Sequence, residues 1–186
     1  MKVLDYILNR YSVRSFKEDA IADDVLDTIL EAGRLAPSAQ NRQCLQFIVI
    51  TDKDMIKKVA LHSFIGMINY FIKDAPVLII ACADPAKSLV LNEQPMYLVD
   101  VTLSFQQMIM AAWSFGIGSC WLGGFNEKSL KKLLNIPDHI KVVAMSPFGY
   151  PKEKKSFYAK VVSLVSSSKK RVAKEEIIHY NIWEDK

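Results

Sequence analysis

Residues 96–125 read MYLVDVTLSFQQMIMAAWSFGIGSCWLGGF. Over 96–115 the residues Leu98, Val101, Leu103, Phe105, Met108, Ile109, Ala112 and Trp113 fall on nearly every side of a helix, and an all-round apolar helix has to be covered. In a chain of 186 residues it forms either the central helix of one subunit or the seam of a dimer. Gly116 and Gly118 predict its end, since glycine tolerates the left-handed backbone of a helix C-terminus. The chain then crosses Trp121 to Phe125, with Gly123 and Gly124 adjacent, before a short helix over Glu127–Leu134.

Upstream, Val3–Asn9 and Ala22–Leu35 have apolar residues three and four apart, the second with a stripe of Val25, Leu26, Ile29, Leu30 and Ala32. Asp23 and Asp24 suit the positive end of that helix. Arg10–Phe16 between them reads as extended. Phe47–Thr51, Val77–Ala83 and Lys141–Met145 are short apolar, β-branched runs expected to be buried strands. Asp54–His62 reads as helix and Pro85–Pro95 as a connecting loop. Beyond the turn at Gly149 and Pro151, Lys152–Arg171 is rich in lysine and serine, and Glu175–Trp183 becomes apolar and aromatic again. Such a tether can carry a sticky segment to the surface of a partner subunit.

The length suits a single domain over residues 1–186. Hydrophobic residues at 51% and charged residues at 24% fill a core and exclude a disordered chain. A net charge of +4, from 24 basic and 20 acidic residues, is modest for a nucleic-acid binder, so no nucleic acid is expected. The run Ala75–Ala83 is about half of the ~20 residues that a membrane helix needs, so no membrane partner is expected. Cys44, Cys82 and Cys120 form no Cys-x-x-Cys pair, which argues against a disulfide scaffold or metal site and for a reducing, cytoplasmic setting.

In an extended segment alternate side chains share a face, so Arg10, Ser12 and Arg14 project together while Tyr11 and Val13 point to the core. Two guanidiniums and a hydroxyl suit a phosphate dianion; two solvated arginines beside a helix end give the same string. Ala36-Pro37-Ser38-Ala39-Gln40-Asn41 supplies amides, a hydroxyl and free backbone donors that fit either a heterocycle edge or a polar turn. Gly123-Gly124 allows a flat ligand close to the backbone, or simply makes a turn. No Gly-x-Gly-x-x-Gly and no phosphate loop is present, which sets aside the ordinary dinucleotide fold and kinases. His62, His139 and His179 have no nucleophile or metal partner nearby in sequence, and Cys120 reads as a small buried side chain. Any chemistry here is carried by a cofactor, with no catalytic side chain of the protein's own.

Taken in order, these strings resemble the nitroreductase family of FMN-dependent NAD(P)H oxidoreductases over nearly the whole chain. Arg10-Tyr11-Ser12-Val13-Arg14-Ser15-Phe16 is similar to the family's Arg-x-Ser-x-Arg-x-Phe opening. Ala36–Gln43 resembles its Pro-Ser-x-x-Asn-x-Gln motif, Gly116–Phe125 its third, and Gly149-Tyr150-Pro151 the turn after its last core strand. Cys44-Leu45 stands where the family often has Pro-Trp.

The resemblance implies an α+β fold with a central, mainly antiparallel sheet flanked by helices, and a C-terminal extension reaching the partner subunit of a homodimer. It implies that Arg10, Ser12 and Arg14 hold the phosphate and ribityl chain of FMN, with Lys170 and Arg171 completing the neutralisation. It puts Pro37, Ser38 and Asn41 of the other subunit along the isoalloxazine and Leu122, Gly123 and Gly124 along the ring, with the Gly123 N–H directed at N5. Tyr11, Ala39 and Gln43 also count among its cofactor-binding positions. NADH or NADPH then reduces the flavin, which passes electrons to a nitroaromatic, quinone or related small acceptor in ping-pong fashion. A flavin-binding sensor without nicotinamide turnover, or a relative acting as dehalogenase or dehydrogenase, is the alternative.

Overall fold

In the computed structural model, which describes residues 3–62, 69–153 and 171–183, the stretch Val77–Ala83 is a strand whose every side chain is buried. An uninterrupted apolar run of this length suits a strand covered on both faces. In chain order the strands are Leu45–Ile50 (β1), Val77–Ala83 (β2), Val90–Leu91 (β3), Gln94–Pro95 (β4), Gly118–Ser119 (β5) and Lys141–Gly149 (β6). The α-helices are Val3–Asn9 (α1), Asp23–Arg34 (α2), Lys53–His62 (α3), Met96–Ser114 (α4), Glu127–Leu134 (α5) and Lys174–Ile177 (α6). The main sheet has the order β1-β2-β6-β5 with antiparallel neighbours throughout, and β3 and β4 make a separate hairpin.

Alternation along β2 divides the core. Leu78, Ile80 and Cys82 face one side, with Ile56 and Val59 of α3 and Leu130 of α5. Val77, Ile79, Ala81 and Ala83 face the other, with Ile29 of α2 and Val101, Phe105 and Met108 of α4. The architecture is α+β, a largely antiparallel sheet flanked by helices, as expected. Helices α2 and α4 approach closely because Gly33 has no side chain: a Cβ there would overlap Met108, and Ser104 Oγ donates to Gly33 O at 2.6 Å.

Several elements differ from expectation. Helix α4 buries one face only; Leu98, Val99 and Leu103 are 42–46% exposed, so its apolar back is left for another surface. Gly116, at φ +74°, ends α4, with Gly116 N–H bonded to Trp113 O and Ile117 N–H to Ala112 O. Gly118 is no part of that cap and belongs to β5. Strand β6 runs on through Pro147 to Gly149 rather than stopping at Met145. Pro85–Pro95 holds a 3-10 turn and the β3–β4 hairpin, with Asn92 and Glu93 at φ 51° and 63° in its turn. Of the tail, residues 154–170 lie outside the described residues, and Ile177, Tyr180, Ile182 and Trp183 are exposed. Among the described residues no helix is long and apolar enough to cross a membrane.

Cys82 makes the core sensitive to base. Burial, opposed by Lys131 and reinforced by Glu127, pushes its thiol from 9.0 up to about 11. The folded state favours the neutral thiol, so this stabilisation is complete below the unfolded value and is lost as pH rises from 9.0 to about 11. Urea unfolding across that window is expected to show the parent losing on the order of 2 kcal/mol more than Cys82→Ala. Parallel curves for the two proteins would contradict the assignment.

Candidate functional site

The segment joining α1 to α2 forms the far edge of the sheet. Val13 N–H donates to Ser119 O at 2.8 Å, Ser12 bridges Ser119 in parallel, and Phe16 bridges Pro151. Lys17 N–H to Tyr150 O at 2.8 Å and Lys152 N–H to Ser15 O at 3.0 Å complete the edge. Gly118 permits this approach. A Cβ there would overlap Val13, whose own Cβ would lie 2.8 Å away. Val13 and Phe16 are buried anchors, whereas Tyr11 is 39% exposed and meets Trp113 edge-on at 5.3 Å. Tyr11 therefore does not enter the core: the chain is still leaving α1 there, and strict alternation begins only at the bridge to Ser119.

Arg10, Ser12 and Arg14 are half-buried, and all three act on the Cys120 thiol. Burial pushes the Cys120 thiol up, while the charge of Arg14, a hydrogen bond with Ser12 and the charge of Arg10 pull it down. Ser12 and Arg14 flank buried Val13 within the paired segment, whereas Arg10 precedes it; Arg14 Nη1 also lies 3.5 Å from Ser12 O. Among the described residues no carboxylate pairs with Arg10 or Arg14; the ion pairs lie elsewhere, as at Arg34 with Glu31 and Lys131 with Glu127. Half-buried guanidiniums without an acidic partner are a place for an anion.

The Trp121–Phe125 crossing leads away from this cradle. Leu122 exchanges both backbone hydrogen bonds with Met145, at 2.9 and 3.0 Å, and Cys120 N–H donates to Ser146 Oγ at 3.1 Å. Asn69 Nδ2 donates to Gly124 O at 2.6 Å. Gly123 and Gly124 are exposed, neither has a left-handed φ, and an added Cβ at either meets nothing within 4 Å. Among the described residues nothing requires glycine at these two positions. The open strip they leave is a bare backbone ledge against which a flat molecule can lie.

The Ala36–Gln43 turn lies on another part of the molecule. It packs on α4 and opens, through Ser38 and Gln43, on a cleft of about 670 Å³ between α2 and β1 whose lining excludes Arg10, Ser12 and Arg14. Gln40, Asn41 and Gln43 all have positive φ, at 49°, 54° and 49°. Gln43 N–H donates to Ser38 Oγ at 3.0 Å, and Gln43 Nε2 to Asn41 Oδ1 at 3.0 Å. Asp100 of α4, which the motif reading missed, accepts from Ala39 N–H at 2.9 Å and from Cys44 Sγ at 3.7 Å. Burial first, and then the charge of Asp100, push the Cys44 thiol up and keep it a donor. An acidic residue on the buried face of an apolar helix was the available signal for Asp100.

Arg171 is exposed at the start of the described tail segment, and Lys170 lies outside the described residues. His62 Nδ1 meets Ser129 Oγ at 3.0 Å, tying α3 to α5, and His179 stacks on Trp183.

Residues 7–70 and 63–150 match the model of the nitroreductase family. A protein of Archaeoglobus fulgidus, carried under the provisional name NADH dehydrogenase/NAD(P)H nitroreductase, is 37% identical over 161 residues, 83% of this chain and 88% of its own. The FMN reductase (NADPH) of Bacillus subtilis is 25% identical over 197 residues, 97% of this chain and 74% of its own. Among solved structures, a nitroreductase family protein from Clostridium novyi NT superposes with a TM-score of 0.79 at 31% identity, covering 84% of this chain and 89% of that one.

The close approach at Gly118 is testable without any ligand. Gly118→Ala is expected to cost about 1–3 kcal/mol in urea unfolding, because the new methyl must displace Val13. Val13→Ala should relieve part of that overlap, so the double variant loses less than the sum of the singles. Strict additivity would contradict the contact.

Proposed function

The chain belongs to the nitroreductase family, and from that premise we propose that it is an FMN-dependent oxidoreductase, taking hydride from NADH or NADPH and reducing a nitroaromatic, quinone or related small acceptor. The observation that carries this reading is the pair of half-buried guanidiniums, Arg10 and Arg14, whose charges both bear on the Cys120 thiol and which lack a carboxylate partner among the described residues. They fit the terminal phosphate of FMN: a dianion there neutralises both charges and accepts from both side chains and the hydroxyl. Bound FMN supplies the hydride-accepting atom and the relay of electrons between the two substrates.

The protein's own residues bind and orient. Arg10, Ser12 and Arg14 grip the phosphate end, with Tyr11 beside them and Lys170 or Arg171 adding positive charge. Leu122, Gly123 and Gly124 lie along the ring, and the Gly123 N–H is the candidate donor to its edge. Pro37, Ser38, Ala39, Asn41 and Gln43 come from a second copy, because within one protomer the turn they form opens on a different cleft. A homodimer also accounts for the uncovered apolar surface on α4, on α1 at Val3, Leu4, Ile7 and Leu8, and on the tail at Ile177, Tyr180, Ile182 and Trp183. On this reading residues 1–186 act as one flavin-binding domain, its tail reaching the partner. The three buried, free cysteines suit a reducing cytoplasm.

Two measurements test the proposal. The purified protein should be yellow, and anaerobic mixing with NADH or NADPH should bleach it; retained colour with both nucleotides removes the reductase reading and leaves a flavin-binding protein without turnover. Arg14→Ala is expected to weaken FMN binding by about tenfold or more, the loss of one charge-assisted hydrogen bond, while leaving riboflavin binding unchanged. Equal retention of FMN by parent and variant would overturn the phosphate assignment.

A further inference from the structure

The geometry points to Asp100 as the positioning residue of the Ala39–Cys44 turn, one carboxyl group holding both ends of the turn that faces the flavin ring; the ligand's identity rests on the reading above. Asp100 is 2% exposed on a helix whose neighbouring buried residues are Val101, Ser104 and Phe105. Among the described residues no cation pairs with it. Its partners are Ala39 N–H at 2.9 Å on Oδ1 and the Cys44 thiol at 3.7 Å on Oδ2. A carboxyl group is expensive to bury, and an apolar residue of the same size would pack in the helix interface at less cost. Stability alone does not account for it.

The turn supplies the reason. Between the two anchored residues, Gln40, Asn41 and Gln43 all sit in the left-handed region, which side chains adopt only when their surroundings hold them there. The bonds among Ser38, Asn41 and Gln43 are exposed and internal to the turn, so they shape it without attaching it to the body. Attachment comes from Asp100 and, at the exit, from Asp84 N–H to Cys44 O at 2.9 Å. Removing the carboxyl frees the turn at Ala39 and lets its amide and hydroxyl groups lose their common orientation. Asp100 touches no cofactor itself.

The test uses the full chain with three substitutions. Asp100→Leu fills the space without an acceptor, Asp100→Ala leaves it empty, and Asp100→Asn keeps an oxygen for Ala39 N–H. Hydrogen exchange of the Ala39 amide in flavin-free protein should quicken at least about tenfold in the Leu and Ala variants and stay slow in Asn. Riboflavin and FMN should both bind about tenfold more weakly to the Leu and Ala variants, by the same factor, with Asn within about twofold of the parent. That pattern differs from the phosphate-specific loss expected of Arg14→Ala. The Leu variant is expected to unfold at no lower urea concentration than the parent, which separates loss of positioning from loss of stability. Unchanged Ala39 exchange in the Leu or Ala variant, parental riboflavin affinity despite rapid exchange, or failure of Asn to restore either readout overturns the assignment. A parent that binds neither flavin defeats the flavin reading instead, and Ala39 exchange then decides by itself whether Asp100 holds the turn.

Discussion

A single backbone hydrogen bond, Val13 N–H to Ser119 O, ties the segment that carries Arg10, Ser12 and Arg14 to the edge of the sheet. β5 is two residues long and has β6 on one side, so its other side is open until residues 12 and 13 lie against it. The absent side chain at Gly118 makes room, and buried Val13 and Phe16 lock the segment in place. Once they are locked, alternation about buried Val13 turns Ser12 and Arg14 away from the core, and the charges of Arg14 and Arg10 both bear on the Cys120 thiol. Like charges near one another repel, and the burial of Val13 and Phe16 offsets such repulsion.

The floor of the cradle matters for the same reason. An acidic residue in place of Cys120 would neutralise the guanidiniums internally and leave little for a ligand. A thiol pushed up by burial stays neutral there, despite the opposing pull of Arg14, Ser12 and Arg10. Further along, the chain at Leu122 and Gly124 is held by Met145 and Asn69, and among the described residues an added Cβ at Gly123 or Gly124 meets nothing within 4 Å. Half-buried positive charge and exposed glycine backbone are the two features on which the proposed FMN site rests. The polar turn at Ser38–Gln43 opens on a different cleft, which is why the proposed function draws it from a second copy.

Legibility followed the range of the interactions. The bounds of β2 and α5 agree with the sequence reading because their periodicity is local and their packing strong. Gly116 was readable as a helix end because the left-handed cap is a property of its own backbone. Gly118, two residues on, was not, since its need for glycine arises from Val13, more than a hundred residues away in the chain. Tyr11 misled for a related reason: alternation holds only inside a paired segment, and the pairing begins one residue later. The β3–β4 hairpin escaped notice because Asn92-Glu93 lacks the glycine that usually marks such a turn.

The order and chemistry of the motifs, the helix and strand periods, and the likeness to an FMN-binding family were determined by the residues in sequence, since each depends on neighbours within a few positions. Which of those residues meet was decided only in three dimensions. Arg10 and Arg14 became candidates for an anion site because their segment lay along β5 and no carboxylate among the described residues pairs with them; Asp100 meets Ala39 because α4 passed under a turn some sixty positions earlier. Both outcomes depend on which groups are left unpaired after packing, and that is a property of the whole fold that no local stretch of sequence contains.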